Sequence, residues 1–431
     1  MVTHQVNSIN SSVTRYPNSL ELNDVLQFNP TSTGRLGTIL KWVVPISGKY
    51  NFTVAGAKGG SGDSGRGIGG QGIIMTGTVA LKKDEVVQIL VGQQGKSYPY
   101  GGGGGGGSFT AIGSLLSSAE MIIVSGGGGG GGSGTGGTGN GANASNGLSG
   151  TIGPNSSTPV GGINGNGGRA APAASCPGGG GGGFYGDGES VSYSTNNIIV
   201  SWETALNSRN YTQGGRAFHK GGEGGLSYAS AQNYGVEGGF GGGAGNGFFG
   251  GGGGGGYSGG AAGRENSFGG GGGGSAANTD RVTAFTMKGY NAGDGYVTIQ
   301  LTQLASSPPT VPTNLRITAS TNNVYLTGET ITVSWDASTD PEGDTITYDV
   351  DFYNGSSWVP IASKTIDVSV EYKLPDGLNI TNTKIRVRAV DNNTAASAYQ
   401  ESAAFTVRKQ LLLIQDGDII KTYKNNTWQA V

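Results

Sequence analysis

Met121-Ile122-Ile123-Val124-Ser125-Gly126-Gly127-Gly128-Gly129-Gly130-Gly131-Gly132 passes without a break from an apolar stretch of strand character into seven consecutive glycines. With Gly101 to Gly107, Gly178 to Gly183, Gly250 to Gly256 and Gly269 to Gly274 it makes five uninterrupted runs, of 7, 7, 6, 7 and 6 residues in chain order. Glycine loses more backbone entropy on ordering than any other residue, about 1–2 kcal/mol each, so the plain reading of such runs is flexible linker. Three features favour order. Linkers have no reason to match in length, whereas a layer of fixed thickness requires it, and seven residues of a three-per-turn extended helix rise about 22 Å. Apolar and aromatic residues sit at or near the run edges, among them Phe109, Val124, Phe184, Tyr185, Phe249, Tyr257 and Phe268. Serine is nearly absent inside the runs, unlike a solvated Gly/Ser spacer.

These features predict a bundle of polyproline-II-type helices made of glycine. Such a helix has no internal hydrogen bonds, so each N–H and C=O points sideways and needs a partner on a neighbour. Only glycine lets backbones approach that closely on all sides. Lateral N–H···O=C bonds, assisted by Cα–H···O contacts of about 0.5–1 kcal/mol each, then offset the cost of ordering.

The whole chain has 431 residues, of which 89 are glycine; three precede residue 51 and five follow residue 304, leaving 81 between. It carries 26 basic and 28 acidic residues and a net charge of -2, which gives no electrostatic case for a nucleic-acid or membrane-surface binder. Collagen needs glycine at every third position with abundant proline, and here 14 prolines accompany unbroken glycine runs. One cysteine, Cys176, excludes an internal disulfide, and with His4 and His219 it cannot complete a four-ligand zinc site from the softer ligands. The longest apolar run, Leu411 to Ile414, is too short to span a bilayer, and Met1 to Ser19 lacks the apolar core of a secretory signal. A protein of this kind that works outside a cell is expected to leave by lysis or as part of a particle.

Strand patterns bracket the glycine. Ile39 to Val44 and Lys49 to Val54 flank a Pro45-Ile46-Ser47-Gly48 turn, the second alternating Tyr50, Phe52 and Val54 with Asn51 and Thr53. Gly72 to Leu81, Val86 to Val91, Met121 to Val124 and Tyr296 to Leu301 read as further strands, and helix signals are scarce. Chain that leaves near residue 100 and returns at 281–301 predicts one β-sandwich with a large glycine-rich insertion.

The succession Trp42 to Tyr50, Ala55-Gly56-Ala57-Lys58-Gly59-Gly60, Val91-Gly92-Gln93-Gln94-Gly95, Ile122 to Ser125 before a run, Gly251 to Gly260 and Gly293-Asp294-Gly295-Tyr296-Val297-Thr298-Ile299 resembles the glycine-rich domain of the anaplastic lymphoma kinase and leukocyte tyrosine kinase receptors. That resemblance covers roughly residues 35–302 and implies a tumour-necrosis-factor-like sandwich joined to a polyglycine-II bundle. No kinase signature or membrane span follows, so the receptor activity does not carry over. The bundle is also similar in kind to receptor-binding adhesins of some tailed bacteriophages, which implies host specificity in the loops joining the helices.

After Pro308-Pro309-Thr310-Val311-Pro312, a stiff extended linker, comes a period-two pattern: Ile331, Val333, Trp335; Tyr348, Val350, Phe352; Ile385, Val387, Ala389. With turns at Asn354-Gly355 and Asp376-Gly377 it predicts a small sandwich. Val333 to Asp344 together with Ile385 to Asp391 resembles a fibronectin type III domain of bacterial or phage origin, although Lys384 stands where the usual corner tyrosine would be. Leu411 to Val431 resembles short β units of structural proteins in phages of Gram-positive bacteria, and is too short to bury a core alone.

Enzymatic motifs fail on context. Gly65 to Gly70 satisfies G-x-G-x-x-G, but no helix pattern follows; Gly95-Lys96-Ser97 has Leu90 where a phosphate loop needs glycine. Asp340, Glu342 and Asp344 could place oxygens around Ca²⁺, though a solvated acidic turn opened by Pro341 is the reading the sequence favours. The aromatic residues between 184 and 249 either cap the bundle and fill satellite cores or stand at loop tips. In the second case Tyr211, Phe218, His219, Tyr228 and Tyr234, each separated from the long runs, are the expected receptor contacts.

The expected architecture is all-β and multi-domain: a polar segment 1–19, a sandwich with polyglycine-II insertion at 20–304, a linker 305–312, a fibronectin type III-like domain 313–408 and a β tail 409–431. The expected function is a non-enzymatic bacteriophage fibre or tail-tip adhesin on the virion. Its partners would be a host-surface glycan or protein and other virion structural proteins, with no nucleic acid and no membrane insertion. A structural or assembly protein of a bacterial or spore surface is the alternative. Trimers are common among fibres, yet no heptad run supports one here.

Overall fold

A computed structural model describes residues 3–6, 20–30, 32–62, 66–134, 139–154, 159–171, 177–192, 198–206, 211–227, 236–247, 249–264, 268–318, 320–341, 343–409, 413–416, 419–424 and 427–430. The chain is all-β and multi-domain, and it divides into two compact units, Met1–Ala305 and Ser306–Val431.

In the first unit, alternation places one side of each strand in a common core. One sheet has the order Thr3–Val6, Val25–Phe28, Tyr296–Leu304, Gly48–Ala55, Gly72–Leu81, Val282–Asn291; the other runs Ala276–Ala277, Glu120–Ser125, Ser108–Ile112, Val86–Leu90, Leu40–Val43. Tyr50, Phe52 and Val54 are buried opposite Leu301, Ile299 and Val297, as their period of two requires, and Trp42 meets Tyr50 edge-on at 5.5 Å. Leu26, Phe28, Ile73, Ile89 and Ile122 complete this core.

Several of these strands do not end in turns. Gly48–Ala55, Val86–Leu90 and Glu120–Ser125 continue into extended glycine-bearing segments that are buried and hydrogen-bonded sideways. Gly250 to Gly256 lies at the centre. Its N–H groups point three ways with a period of three residues: Gly251 and Gly254 donate to Phe268 and Gly271, Gly252 and Gly255 to Gly102 and Gly105, Gly253 and Gly256 to Gly179 and Gly182, at 2.9–3.2 Å. Its carbonyls repeat the pattern in the other three directions, accepting from Gly263 and Gly260, from Gly130 and Gly127, and from Gly247 and Ala244 at 2.7–2.9 Å. Six segments thus surround one. They close a ring in the order 241–247, 101–107, 126–132, 269–274, 258–263, 178–183, each bonded to the next.

Glycine is required here by proximity. A Cβ on Gly253 would fall 2.6 Å from Gly181 N and 2.9 Å from the Gly260 carbonyl carbon, and closer still to the Gly260 oxygen. Fixing a residue costs about 1–2 kcal/mol, and one buried lateral bond of about 1 kcal/mol with a Cα–H···O contact of about 0.5–1 kcal/mol offsets it.

Serine hydroxyls join lattice to sandwich. Ser108 Oγ donates to Ala55 O at 2.6 Å and accepts from Gly92 N at 2.9 Å; Ser125 Oγ donates to Val54 O at 2.7 Å; Ser275 Oγ accepts from Gly126 N at 3.0 Å. All three serines are buried, at the level where ladder bonding gives way to threefold bonding.

The second unit pairs Thr313–Ile317, Thr330–Asp336 and Ser369–Lys373 in one sheet. A second sheet has the order Val324–Leu326, Phe405–Arg408, Ile380–Asp391, Ile346–Tyr353, Trp358–Thr365. Their alternating residues Ile331, Val333, Trp335, Tyr348, Val350, Phe352, Ile385, Val387 and Ala389 form its core. Leu413–Asp416, Ile419–Lys424 and Thr427–Ala430 make a separate antiparallel meander.

Candidate functional site

The bundle has a sandwich end and a far end, and aromatic side chains collect at both. Against the sandwich, the short turn Phe218–Lys220 tucks the Phe218 ring onto Phe109 and Phe184, each at 5.0 Å and nearly parallel. Phe218 has no solvent exposure. It is therefore a core residue and not an accessible loop contact, because three rings fill the space where the runs meet the strand Ser108–Ile112. His219, next in sequence, is half-buried. Its Nε2 lies 2.9 Å from the Ala119 carbonyl, which can only accept, so that nitrogen carries the proton. Its ring meets Tyr185 edge-on at 5.1 Å, and Tyr185 is 50% exposed. Burial pushes the Tyr185 phenol pKa up, with Tyr257 and Glu120 adding to the effect. Beside them Lys220 pairs with Asp187 at 2.7 Å, and Asp187 also accepts from Ala217 N at 2.8 Å. This rim has one donor committed inward and one exposed phenol.

Tyr211 lies elsewhere. It is half-buried in the strand Tyr211–Thr212, paired with Ser190–Ser192 in a three-stranded sheet. The helix Trp202–Leu206 follows that sheet's other edge strand, and the Arg216 guanidinium sits 4.3 Å over the Trp202 ring. The bonds of Gly183 to Gly186, Gly180 to Glu189 and Gly215 to Gly180 run down the bundle, and place Tyr211 toward the end opposite His219. The structure does not bring those two residues together. Tyr228 and Tyr234 lie outside the described residues.

The far end also holds a cluster that sequence reasoning passed over. Tyr98 and Tyr100 flank Pro99 just before Gly101, with rings 6.1 Å apart at 47°, and Arg66 lies 4.8 Å over the Tyr100 ring. Arg66, Tyr98 and Tyr100 are half-buried, so rings and guanidinium remain accessible at an edge. The signal was present in Ser97-Tyr98-Pro99-Tyr100, two aromatics about a proline abutting a run. At the opposite end of the sandwich a cavity of about 280 Å³ opens between Ser47, Leu81, Glu85, Arg281 and Leu304; its floor is aliphatic and Glu85 lies 3.8 Å from Arg281.

In the second unit Asp340, Asp344 and Asp391 place carboxylate oxygens within 4.8 Å of one another, a set that could hold a metal ion. Glu342 lies outside the described residues, and Asp391 supplies the third carboxylate because the register pairs Ile346 with Asp391 at the sheet end. Asp344 N donates to Asp340 Oδ1 at 3.0 Å, Asn393 Nδ2 to Asp344 Oδ2 at 2.7 Å, and the N–H groups of Asn393 and Ala395 to Asp391 Oδ1 at 2.8 Å.

No family model matches the chain. Among solved structures, a PKD domain of an M14-like peptidase from a Thermoplasmatales archaeon aligns at 20% identity over 24% of this chain and 100% of that one, with a TM-score of 0.19. The Endo-D glycoside hydrolase domain of Streptococcus pneumoniae aligns at 12% identity over 32% of this chain, TM-score 0.19. A beta-1,2-glucanase of Parabacteroides distasonis aligns at 13% over 58%, TM-score 0.16. The chain spans 20% and 29% of the length of those two hydrolases.

Proposed function

We propose that this chain is a non-enzymatic adhesin of a bacteriophage fibre or tail tip, which holds a host-surface glycan or protein on side chains displayed by a rigid polyglycine-II scaffold. The observation that supports this most is the bundle itself: one glycine helix bonded on six sides, with Arg66, Tyr98, Tyr100 and Tyr211 at its far end. A contact built on so constrained a backbone loses little further entropy on binding. Tyrosine rings give flat apolar area with a polar tip, and an arginine beside them adds a directed donor, a combination suited to sugar faces. The tumour-necrosis-factor-like and fibronectin type III-like readings of the two sandwiches accompany this proposal, as does a virion location. In the second unit the three aspartates favour calcium, a hard cation that takes carboxylate oxygens, as the ion for that turn.

The test is binding of the labelled full chain to a panel of intact bacterial cells and purified envelope glycans. Selective, saturable binding to some strains, lost in Tyr98→Ala/Tyr100→Ala with unchanged melting, is the expected result. A folded protein that binds nothing would move the account to the alternative, a structural or assembly protein of a bacterial or spore surface.

A further inference from the structure

At the end of the sandwich away from the bundle, a cavity of about 280 Å³ opens where three pieces of chain meet: the start of Gly48–Ala55, the turn 82–85 and the last residues of Tyr296–Leu304. Its inner wall is the core itself. Leu81 is one of the buried core residues, and Leu304 packs against that core. Ala80 and Ala305, both exposed, also line it. An apolar cavity of about 150 Å³ is enough to hold benzene, so this one takes an aliphatic body of about eight carbon atoms.

The walls are held in place by their own hydrogen bonds. Lys83 N donates to Ser47 Oγ at 2.9 Å, Ala305 N donates to Ser47 O at 2.9 Å, and Glu85 closes its turn by accepting from Lys82 N at 2.8 Å. The same carboxylate lies 3.8 Å from the Arg281 guanidinium, which also reaches Glu120 at 3.5 Å. The acid and the guanidinium beside the cavity are therefore committed to each other and to the scaffold. Two further cations line it, Lys49 and Lys82, and both are exposed. Among the described residues neither ammonium group has a carboxylate partner. Each rides on a flexible four-carbon stem that can bring it to a head group at the mouth. An aliphatic floor beneath unpaired positive charge matches a molecule with an apolar body and one anionic end.

We propose that this cavity binds a small carboxylic acid of about six to ten carbons, its chain against Leu81 and Leu304 and its carboxylate at the mouth with Lys49 and Lys82. A neutral alcohol of the same length gains the burial of its chain but no charge-assisted bond, and an amine meets like charge. A membrane lipid offers two chains, each about 15 Å long in a bilayer, and is too large for this volume. The cavity is remote from Arg66, Tyr98 and Tyr100 at the far end of the bundle, so its occupancy is independent of what those residues hold.

Ligand-observed NMR titration of the full chain with octanoate, hexanoate, butanoate, octanol and octylamine tests this. Octanoate should bind saturably, and each methylene removed from it should weaken binding by about fourfold. Octanol should bind about tenfold more weakly than octanoate, and octylamine more weakly still. Lys49→Gln combined with Lys82→Gln should bring octanoate down to the level of octanol and leave octanol unchanged. Ala80→Trp and Ala305→Trp, at exposed lining positions, should block the cavity to every probe, and unchanged melting checks that the variants fold. A folded chain that does not bind octanoate overturns the proposal. So does octanol or octylamine bound as tightly as octanoate, or octanoate binding that survives both tryptophan substitutions. A chain that ignores octanoate yet co-sediments with phosphatidylglycerol vesicles would assign the surface to lipid and overturn it as well.

Discussion

Replacing Gly253 by alanine puts the lattice under the most direct strain, because Gly253 sits in the run that six segments surround. The added methyl would fall 2.6 Å from Gly181 N and 2.9 Å from the Gly260 carbonyl carbon, on backbone that has no rotamer to move away. To reach ordinary contact, segments 178–183 and 258–263 must retreat by about 1 Å, which takes a 2.8 Å bond beyond useful length. The bonds at risk are Gly181 N to Gly260 O and Gly260 N to Gly254 O, both 2.8 Å, and Gly253 N to Gly179 O at 3.0 Å. Two or three buried bonds unmade at about 1–3 kcal/mol each give a loss of roughly 3–6 kcal/mol, and a fall of roughly 10 °C in the melting of the first unit. Gly293→Ala is the matched control: the nearest atom to its Cβ is Asn291 Oδ1 at 4.0 Å. Where the backbone tolerates it, Gly→Ala stabilises by about 0.4–1 kcal/mol through the unfolded chain, so the two substitutions should differ in sign. Calorimetry and urea unfolding of the full chain read both. Equal, small effects at positions 253 and 293 would refute close lateral packing as the reason for glycine.

Other outcomes follow from the same geometry. Ser108→Ala removes a buried hydroxyl that bonds Ala55 O and Gly92 N at once, so urea unfolding should show a loss of about 2–4 kcal/mol. Burial holds the Glu189 carboxyl above its ordinary 4.5, against the lowering effect of the Ala170 N–H at 3.0 Å and of Arg169. The folded state then binds the proton more tightly than the unfolded one, so this group's contribution is present below 4.5 and lost as pH rises through the folded value. Melting of Glu189→Gln against wild type should therefore shift in the variant's favour between pH 4 and pH 7. Calcium at ten times its dissociation constant should add about 1.4 kcal/mol to the second unit, roughly 5–10 °C in its melting, and Asp391→Asn should abolish the shift.

Much of the sandwich architecture is legible in short patterns. Tyr50, Phe52 and Val54, and later Ile331, Val333 and Trp335, show a period of two that only a half-buried strand explains, and all six are buried. Two strands without that alternation escaped: Val282–Asn291 is an edge strand with mostly exposed residues, and Ser108–Ile112 is buried on both faces. The five glycine runs stand out in the sequence, but their partners do not. Segments 139–144, 159–163 and 258–263 carry Asn, Val, Ile, Ser and Ala, because a helix toward the edge of the bundle has positions facing away from close backbone contact. The site is harder to read for a related reason. Phe218 stands among polar neighbours in sequence yet enters a three-ring core assembled from residues 109, 184 and 218, and Asp391 reaches Asp340 and Asp344 only through sheet register. Both depend on contacts across long stretches of chain, which local pattern does not encode.

The proposed adhesive surface depends on the glycine runs being an ordered, mutually bonded scaffold. Hydrogen exchange of the full chain, read at the amides of Gly251 to Gly256, tests this most directly. These N–H groups are buried and each is bonded to a different neighbouring backbone carbonyl, so they should open only with the whole unit and exchange slower than an unfolded peptide by a factor on the order of 10⁴ or more. Exchange at the rate of an unfolded peptide, with Phe52 and Ile89 in the adjoining strands protected, would contradict the account.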